Sequence, residues 1–309
     1  VGERGRSMVE SDLFVPEAEP AVPAISVTTA AVVELCRQLK PGLTPVRVAL
    51  RIGLSSRTDG TAKNVVAVLR GSDPALRDTC VVLSAHYDHL GMKGSGEGHR
   101  VFNGANDDGT GTVSVLEIAS ALAAMPTPPR RSVVFVTFFG EEEGLYGSQY
   151  FARHLPCPVE KTIAGINLEQ LGRPDTDRGP MPSAIALIAP SYTSIPADFT
   201  DAAEATGVSM LAKPALGDDF FSRSDNISLA EVGIPAHTAA IPAMFPDYHA
   251  VGDTWEKIDY PNMARLDRML ALGIIRLADD PDPPHWTPGI AATAGFATAF
   301  HRRSTTFPH

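Results

Sequence analysis

The sequence has few cysteines, no long apolar run and little clustered positive charge. Its three cysteines, Cys36, Cys80 and Cys157, are an odd set without a Cys-x-x-Cys spacing, so we expect buried thiols rather than a disulfide framework or a cysteine-ligated zinc site. No apolar stretch approaches the ~20 residues that a membrane-spanning helix needs. No Lys/Arg cluster is longer than two residues, and the formal net charge is -10. These absences predict no membrane span and no nucleic-acid partner.

The composition that remains is that of a globular chain. Of the 309 residues, 44% are hydrophobic and 20% are charged, which is enough apolar material for one large core or two modest ones. The chain begins with Val rather than Met. We therefore expect that a signal peptide or a larger N-terminal piece has been removed from a secreted or periplasmic bacterial protein.

Short apolar runs alternate with amphipathic patterns along the middle of the chain. Runs rich in Val, Ile and Phe predict strands that begin at Asn64, Thr79, Arg131, Thr162, Ser183 and Ile234. Helical spacing is clearest over Thr110 to Ala124, Gly147 to His154, Ile195 to Thr206 and Asn262 to Ala278. Such strands need helices on both faces of their sheet, so we expect a three-layer α/β/α sandwich with a mostly parallel mixed central sheet.

The two ends of the chain lack this alternation. Residues 1–44 carry a Pro-rich stretch and one helical pattern near Thr29 to Lys40, and they are expected to be a separate N-terminal segment, a remnant of a larger N-terminal or lid region. Residues 45–280 hold the alternating elements and are expected to form the main domain. Residues 281–309 begin with a run of Asp and Pro, which predicts a tail of loop or disorder.

Polar side chains collect where the predicted strands end. His86 and Asp88 are two residues apart, so both point to one side of an extended chain. Further strand ends or loops carry Asp107 and Asp108, Glu141 to Glu143, Glu169, and His249. In such sheets the chemistry lies beyond the carboxyl ends of the strands. Imidazole and carboxylate ligands suit zinc, manganese or cobalt, and several carboxylates allow one of them to bridge two ions.

Each of these features alone is more often structural. A glutamate cluster at a strand end is usually solvated or caps a helix, and Asp-Asp-Gly is by itself a good turn. Their coincidence in sequence order makes a metal site the better interpretation. The remaining histidines have no comparable setting and are interpreted as structural or surface residues: His89, His99, His154, His237, His285, His301 and His309.

The ordered motifs "HYDH", "NDDGTGT", "EEEGLYGS", "NLEQLGR", "FSRSDN", "GIPA" and "YHAVGDTWEKID" resemble those of the co-catalytic zinc exopeptidases. That family contains bacterial leucyl-type aminopeptidases, glutamate carboxypeptidase II, plasma glutamate carboxypeptidase, glutaminyl cyclases and the transferrin receptor. The resemblance runs from about Asn64 to Ala278. It implies the zinc-exopeptidase (phosphorylase/hydrolase-like) fold, two zinc ions per chain and peptide substrates.

The resemblance also implies a set of metal ligands. It places His86, Asp107 and Glu142 on one zinc ion. It places Asp107, Glu169 and His249 on the other, so that Asp107 bridges the two. Most aminopeptidases of the family have Asp where this chain has Glu169, so metal affinity or metal choice is expected to differ here.

Further roles follow from the resemblance. Glu141 would be the general base, and Asp88 would hydrogen-bond the free ring nitrogen of His86. A bend at Gly140 is expected so that Glu141 and its neighbour Glu142 both reach the metals, with Glu143 facing away. Tyr248 is a candidate donor to the developing oxyanion and equally well a packed tyrosine. The family also implies a cis peptide between Asp107 and Asp108.

The expected substrate pocket includes the loop that carries "FSRSDN". Its predicted substrate-binding residues are Phe221, Arg223, Asp225 and Asn226, although many relatives have His in place of Asn226. The negative field of the site favours an α-ammonium group, so an aminopeptidase is the first expectation. Phe220, Phe221 and Ile227 favour apolar side chains.

Three alternatives to an aminopeptidase stay open. A carboxypeptidase or dipeptidase would need a cation for the substrate carboxylate, for which Arg223 and Arg173 are the candidates. A single-zinc cyclase of the glutaminyl type is disfavoured by the complete ligand set. A non-catalytic, receptor-like domain is disfavoured by the retention of Glu141. The sequence leaves the oligomeric state open.

Overall fold

The computed structural model describes residues 60–92, 98, 100–211 and 217–305, together with four helical residues near the N-terminus: Ala30, Glu34, Arg37 and Gln38. Contacts divide the chain into a first unit, Val1–Ala62, and a second unit, Lys63–His309. The four helical residues fall within the helix predicted near Thr29 to Lys40, and the rest of that helix lies outside the described residues. Cys36, His99 and His309 also lie outside them.

Six strands of the second unit begin close to the six predicted starts, and three two-residue strands were not predicted. Within the described residues the strands are β1 (Val65–Leu69), β2 (Cys80–His86), β3 (Ser132–Phe138), β4 (Thr162–Glu169), β5 (Asp175–Thr176), β6 (Gly179–Pro180), β7 (Ala184–Leu187), β8 (Ser209–Met210) and β9 (Ala236–Ala240). Strands β5 and β6 pair only with each other, and the other strands form one sheet in the order β1-β3-β2-β4-β9-β7-β8. Strands β3, β2, β4 and β9 are parallel neighbours, whereas β1 and β7 pair antiparallel with β3 and β9. The prediction of a mostly parallel mixed sheet is confirmed.

Helices cover both faces of this sheet. They are α1 (Thr110–Ala123), α2 (Tyr146–Arg153), α3 (Pro196–Thr206), α4 (Asn226–Glu231), α5 (Tyr260–Asp279) and α6 (Ala294–Thr305). Strand β2 shows how the layers arise, because alternate side chains of a strand point to opposite faces. Val81 and Leu83 pack in one core with α1, α3 and α5, whereas Val82 packs in another with α2 and α4. The three-layer prediction is confirmed.

The parallel register brings the polar strand ends together. His86 at the end of β2 lies opposite Phe138 at the end of β3, so the loop after β3 begins beside it. On the other side of β2, Ser84 lies opposite Asn167, two residues before Glu169 at the end of β4. Side chains that are far apart in sequence therefore meet at one edge of the sheet.

The cysteine prediction is wrong for two of the three residues. Cys80 and Cys157 form a disulfide with their Cα atoms 6.5 Å apart, which ties β2 to the loop after α2. They are therefore not free thiols. Their sequence separation of 77 residues offered no short spacing from which the pair could have been recognised.

The prediction of loop or disorder beyond residue 280 is also wrong for its described part. Helix α6 forms there, and Trp286 is buried with its Nε1 donating to the carbonyl of Gly233 at 3.2 Å. Trp286 and Phe296 pack against Phe221 in a third apolar cluster. Apolar burial by these aromatic residues outweighs the Asp- and Pro-rich start of the segment. In the described part of the chain, no helix has both the length and the hydropathy needed to cross a membrane.

Candidate metal centre

His86 anchors one side of the candidate site. It is buried at the end of β2, and its Nε2 lies 3.4 Å from Asp107 Oδ1 and 3.6 Å from Glu169 Oε2. Its other ring nitrogen, Nδ1, lies 3.0 Å from the main-chain oxygen of Asp88 and 3.6 Å from Asp88 Oδ1. The nearer acceptor is thus the carbonyl, which corrects the carboxylate contact that we expected. The contact still orients the ring so that Nε2 faces the site.

Asp107 lies between two imidazoles. Its Oδ1 faces His86, and its Oδ2 lies 3.3 Å from Nε2 of His249. The same His249 nitrogen lies 3.3 Å from Oε2 of Glu142. The structure therefore contains one group of His86, Asp107 and Glu169 and another of His249, Asp107 and Glu142, with Asp107 shared.

This grouping corrects the predicted partition of ligands. We expected Glu142 beside His86 and Glu169 beside His249, and the structure exchanges the two glutamates. Sequence order alone could not settle this point, because Glu142 lies just after β3 and Glu169 ends β4, and both strands are neighbours of β2. The directions of the side chains decide it. The set of five residues is the one predicted, and Asp107 is the residue common to both groups.

The carboxylate of Asp253 holds the turn that carries Asp107. The peptide between Asp107 and Asp108 is cis, as the resemblance implied. The carboxylate of Asp253 accepts hydrogen bonds from the main-chain N–H groups of Asn106, at 2.9 and 3.0 Å, and of Asp107, at 3.0 Å. Because Asp253 follows His249 on the same loop, it ties that loop to the turn that carries Asp107. Asp253 was not predicted as a site residue, although it lies within the motif "YHAVGDTWEKID".

The turn after β3 presents two adjacent glutamates to the site. Gly140 has a φ of +76°, so the bend expected at this residue is confirmed. The carboxylate of Asp88 accepts from the main-chain N–H groups of Glu141 and Glu142 at 3.2 and 3.3 Å. Glu141 Oε2 lies 4.0 Å from Nε2 of His86, whereas Glu143 is exposed, as expected. Asp88 thus acts on the glutamate turn through its carboxylate and on His86 through its carbonyl.

The side chain of Glu169 is held by hydrogen bonds from Ser224 and Asn167. Its Oε1 accepts from the hydroxyl of Ser224 and, at 3.3 Å, from the amide of Asn167. Ser84 donates to Asn167 at 2.9 Å and orients that amide. The remaining oxygen, Oε2, is the one that faces His86. Ser224 and Asn167 were not identified from the sequence, since serine and asparagine near a strand end carry no signal of their own.

His89 corrects our interpretation of the remaining histidines. Its Nδ1 lies 2.7 Å from Oε1 of Glu142, and its side chain is buried at the site rather than free on the surface. His89, Asp107 and Glu142 could themselves surround a metal ion. The signal that the sequence offers for it is its position in "HYDH", three residues after His86.

The electrostatics of the site favour a bound cation. Burial raises the pKa of Glu141 well above its usual range, and the carboxylate of Glu169 raises it further, although His86 opposes the shift. Burial also disfavours the charged form of Asp107, yet hydrogen bonding to His249 and His86 holds its pKa well below the usual range. Asp107 Oδ2 is buried, with Nε2 of His249 beside it at 3.3 Å. This buried oxygen and the carboxylate and imidazole groups around it fit a zinc-type ion.

A cavity opens onto these carboxylates. Besides the carboxylates and imidazoles of the site, its walls include Ile188, Phe220, Arg223, Met244 and Tyr248. The ring of Tyr248 stacks on that of His249 with centroids 3.9 Å apart. Burial raises the pKa of Tyr248, and the carboxylates of Asp107 and Glu142 raise it further, so its hydroxyl stays protonated.

Only part of the predicted substrate-binding set reaches this cavity. Arg223 lines it, with its guanidinium 4.6 Å from the centre of the Phe220 ring. Phe221, Asp225 and Asn226 are buried and do not line it, which corrects the prediction for these three residues. Asn226 donates to the Phe221 carbonyl at 2.9 Å and accepts from the hydroxyl of Thr238 at 2.9 Å, so it holds the loop instead. Ile227 is also buried and absent from the cavity wall.

The second candidate arginine is already occupied. The Arg173 guanidinium donates to both carboxylate oxygens of Asp175 and, at 3.1 Å, to Asp247. Asp247 also accepts from Lys257 at 2.8 Å. Arg173 therefore fixes the loop that leads to His249 and is not free to bind a substrate carboxylate.

Comparison with known proteins gives a family match over the predicted domain. The model for Peptidase family M28 matches residues 64–273. A probable zinc metalloprotease of Leptosphaeria maculans is 35% identical over 135 residues, which cover 42% of this chain and 30% of that protein. A probable leucine aminopeptidase 2 of Aspergillus oryzae is 26% identical over 247 residues, covering 73% of this chain and 47% of that protein. The chain thus spans less than half the length of these curated relatives.

Solved structures share the fold. The LapA aminopeptidase of Legionella pneumophila is similar with a TM-score of 0.58 at 21% sequence identity, over 71% of this chain and 56% of that chain. At this level of identity the similarity establishes the architecture of the domain.

Proposed function

The chain belongs to peptidase family M28, and from that premise we propose that it is a zinc-dependent aminopeptidase acting on free N-termini of peptides. One observation carries the proposal. Two groups of imidazole and carboxylate side chains share Asp107, and Glu141 lies beside them in the wall of an open cavity. The zinc metalloprotease and aminopeptidase names of the relatives support it.

We propose two zinc ions per chain. His86, Asp107 and Glu169 would hold one ion, and His249, Asp107 and Glu142 would hold the other. Ions bound there would polarise the scissile carbonyl and lower the pKa of the attacking water.

The side chains of the protein then move protons and position the substrate. Glu141, whose pKa is raised by burial, accepts a proton from the attacking water and returns it to the leaving amine. Tyr248 keeps its hydroxyl proton and can donate a hydrogen bond to the carbonyl oxygen as negative charge develops there. Asp88 positions both groups: its carboxylate accepts from the main chain of Glu141, and its carbonyl contacts the ring of His86.

The cavity supports a preference for apolar N-terminal residues. Ile188, Phe220 and Met244 supply an apolar wall, whereas the carboxylates near the ions supply the negative potential that an α-ammonium group requires. Phe220 is the one residue of the predicted apolar set that reaches the wall.

A carboxypeptidase or dipeptidase activity is the second candidate, and Arg223 is the observation that favours it. Arg223 lines the cavity, and Arg173 is committed to Asp175 and Asp247. Recognition of a substrate carboxylate would therefore depend on Arg223. A single-zinc cyclase would leave one of the two ligand groups without a role, and a receptor-like domain would not need Glu141.

The deciding experiment combines metal analysis with three substrates. We expect two zinc ions per chain after reconstitution, cleavage of leucine p-nitroanilide, and loss of cleavage in a chelator. The N-acetylated anilide should be inert because it lacks the ammonium group. Cleavage of an N-blocked dipeptide while leucine p-nitroanilide stays intact would overturn the aminopeptidase assignment. Absence of bound metal after zinc reconstitution would overturn the metal mechanism.

We further propose that the protein works outside the cytosol, as a secreted or periplasmic enzyme. The disulfide between Cys80 and Cys157 supports this, since such bonds persist in oxidising compartments. Fractionation of the source cells with antibody detection tests it. Recovery of the protein only from the cytosol, with both cysteines reduced, would contradict it.

A further inference from the structure

The two glutamates of the metal centre are held in the same manner by different partners. Oε1 of Glu169 accepts from Ser224, and its Oε2 faces His86 at 3.6 Å. Oε1 of Glu142 lies 2.7 Å from Nδ1 of His89, and its Oε2 faces His249 at 3.3 Å. Each carboxylate thus offers one oxygen to an ion position and has the other bound to the protein.

Packing against neighbouring residues fixes the orientation of the His89 ring. Its ring meets those of His249 and Phe102 edge-on, with centroids 5.8 and 6.5 Å apart. Gly104 has a φ of +62°, and a Cβ at that position would lie 2.6 Å from Cγ of His89. Only a glycine therefore leaves room for the imidazole. The packing holds the ring in the orientation that directs Nδ1 at Glu142.

The hydrogen-bonding state of the ring follows from its two nitrogens. Nε2 of His89 is buried and has no hydrogen-bond partner among the described residues. Nδ1 faces a carboxylate oxygen, which can only accept while the carboxylate is ionised. The contact therefore requires a proton on Nδ1, which donates to Oε1 of Glu142.

We propose that His89 is a positioning residue that limits Glu142 to a single-oxygen contact with the ion held by His249 and Asp107. The proposal rests on the zinc-dependent function above. If both Glu142 oxygens bound the ion, they would occupy a coordination position that water or substrate needs. By binding Oε1, His89 keeps that position open and holds Oε2 in place. Nothing in the family match or the relatives' names assigns this role.

Two substitutions of His89 test the proposal. His89→Asn keeps an N–H donor at the place of Nδ1, whereas His89→Leu fills the space without a donor. The readout is calorimetric titration of the chelator-treated protein with zinc, which resolves the two binding steps without using activity. His154→Leu is the matched control, because His154 is an exposed histidine stacked on Tyr150, at the end of α2.

We expect His89→Leu to weaken one of the two zinc-binding steps by about 10–100-fold and to leave the other unchanged. His89→Asn should restore that step to within a fewfold of the unsubstituted protein, and His154→Leu should change neither step. At saturating zinc, we expect His89→Leu to lower kcat more than it changes KM, because the open coordination position is used in the chemical step.

Three results would overturn the positioning role. Unchanged zinc affinities in both His89 variants, even with a lower melting temperature of the zinc-free protein, would show that His89 serves packing alone. Complete loss of one ion in both variants would show that His89 is itself a metal ligand. Absence of zinc binding by the unsubstituted protein would overturn the proposed function, and this inference with it.

Discussion

Replacement of Glu141 by glutamine separates proton transfer from metal binding. The change removes one negative charge and preserves the size of the side chain. Oε2 of Glu141 lies 4.0 Å from His86, and the main-chain N–H of the residue, not its side chain, contacts Asp88. Neither ligand group includes Glu141. The substitution should therefore leave both metal positions intact.

The expected loss of rate follows from the surroundings of Glu141. A positioned general base contributes about 10²–10⁴-fold, or about 2.7–5.4 kcal/mol of barrier. We expect the upper half of this range because no other carboxylate of the site is free to take over the proton transfer. The neighbouring Glu142 and Glu169 each have one oxygen bound to His89 or Ser224 and the other directed to an ion position, so neither can replace it.

The assay measures zinc per chain by elemental analysis and kcat on leucine p-nitroanilide. Glu143→Gln is the matched control, because Glu143 lies on the same turn but is exposed, and we expect it to match the unsubstituted protein. Glu142→Gln should lose zinc, since it removes a ligand. The reasoning fails if Glu141→Gln keeps kcat within tenfold, or if it loses as much zinc as Glu142→Gln.

Three further predictions concern specificity and stability. Arg223→Gln should change kcat/KM on leucine p-nitroanilide by less than about threefold, as expected for an aminopeptidase; a much larger loss would show that Arg223 serves the cleavage itself. Replacing both Cys80 and Cys157 by alanine should lower the free energy of unfolding in denaturant by about 4 kcal/mol, because the disulfide closes a loop with a sequence separation of 77 residues; equal midpoints would refute the disulfide. Burial, opposed in part by the Ser114 hydroxyl, raises the pKa of Asp267 to about 6, so the group's cost to stability is absent below about pH 4, grows up to about pH 6 and is complete above it. Asp267→Asn should therefore raise the free energy of unfolding by about 1–2 kcal/mol at pH 8 and leave it unchanged at pH 4, which thermal melts at both values would check.

The elements of the second unit were predictable because their side chains carry a strong pattern. Val81, Leu83 and Ala85 alternate with Cys80 and Val82 on the two buried faces of β2, and such fully apolar strands read clearly as a parallel sheet with helices on both sides. The same pattern located the strand ends. The five ligand candidates could therefore be placed at one edge of the sheet before their contacts were known.

What escaped prediction depends on contacts between distant residues. Which glutamate faces which histidine is decided by side-chain direction, so Glu142 and Glu169 were exchanged. His89 and Asp253 act only through neighbours, one through the Glu142 carboxylate and the other through the main chain at Asp107. The prediction of loop or disorder after residue 280 was wrong because it rested on the local Asp and Pro content. The burial of Trp286 depends on partners elsewhere in the chain.

The place of β9 in the sheet bears on the order in which the chain can fold during synthesis. Strand β9 is the last strand of the sheet to be synthesised, yet it lies between β4 and β7, which are both made before it. Until the ribosome has released β9, the edge of β4 has no permanent neighbour, and His249 and Asp253, which follow β9, cannot reach Asp107. A nascent chain that ends before β9 therefore lacks two of the residues around Asp107, so the proposed metal centre is assembled only after this strand has been made. The same gap leaves one edge of the buried strand β4 unpaired until β9 is made, and an unpaired apolar edge is prone to pair with other chains.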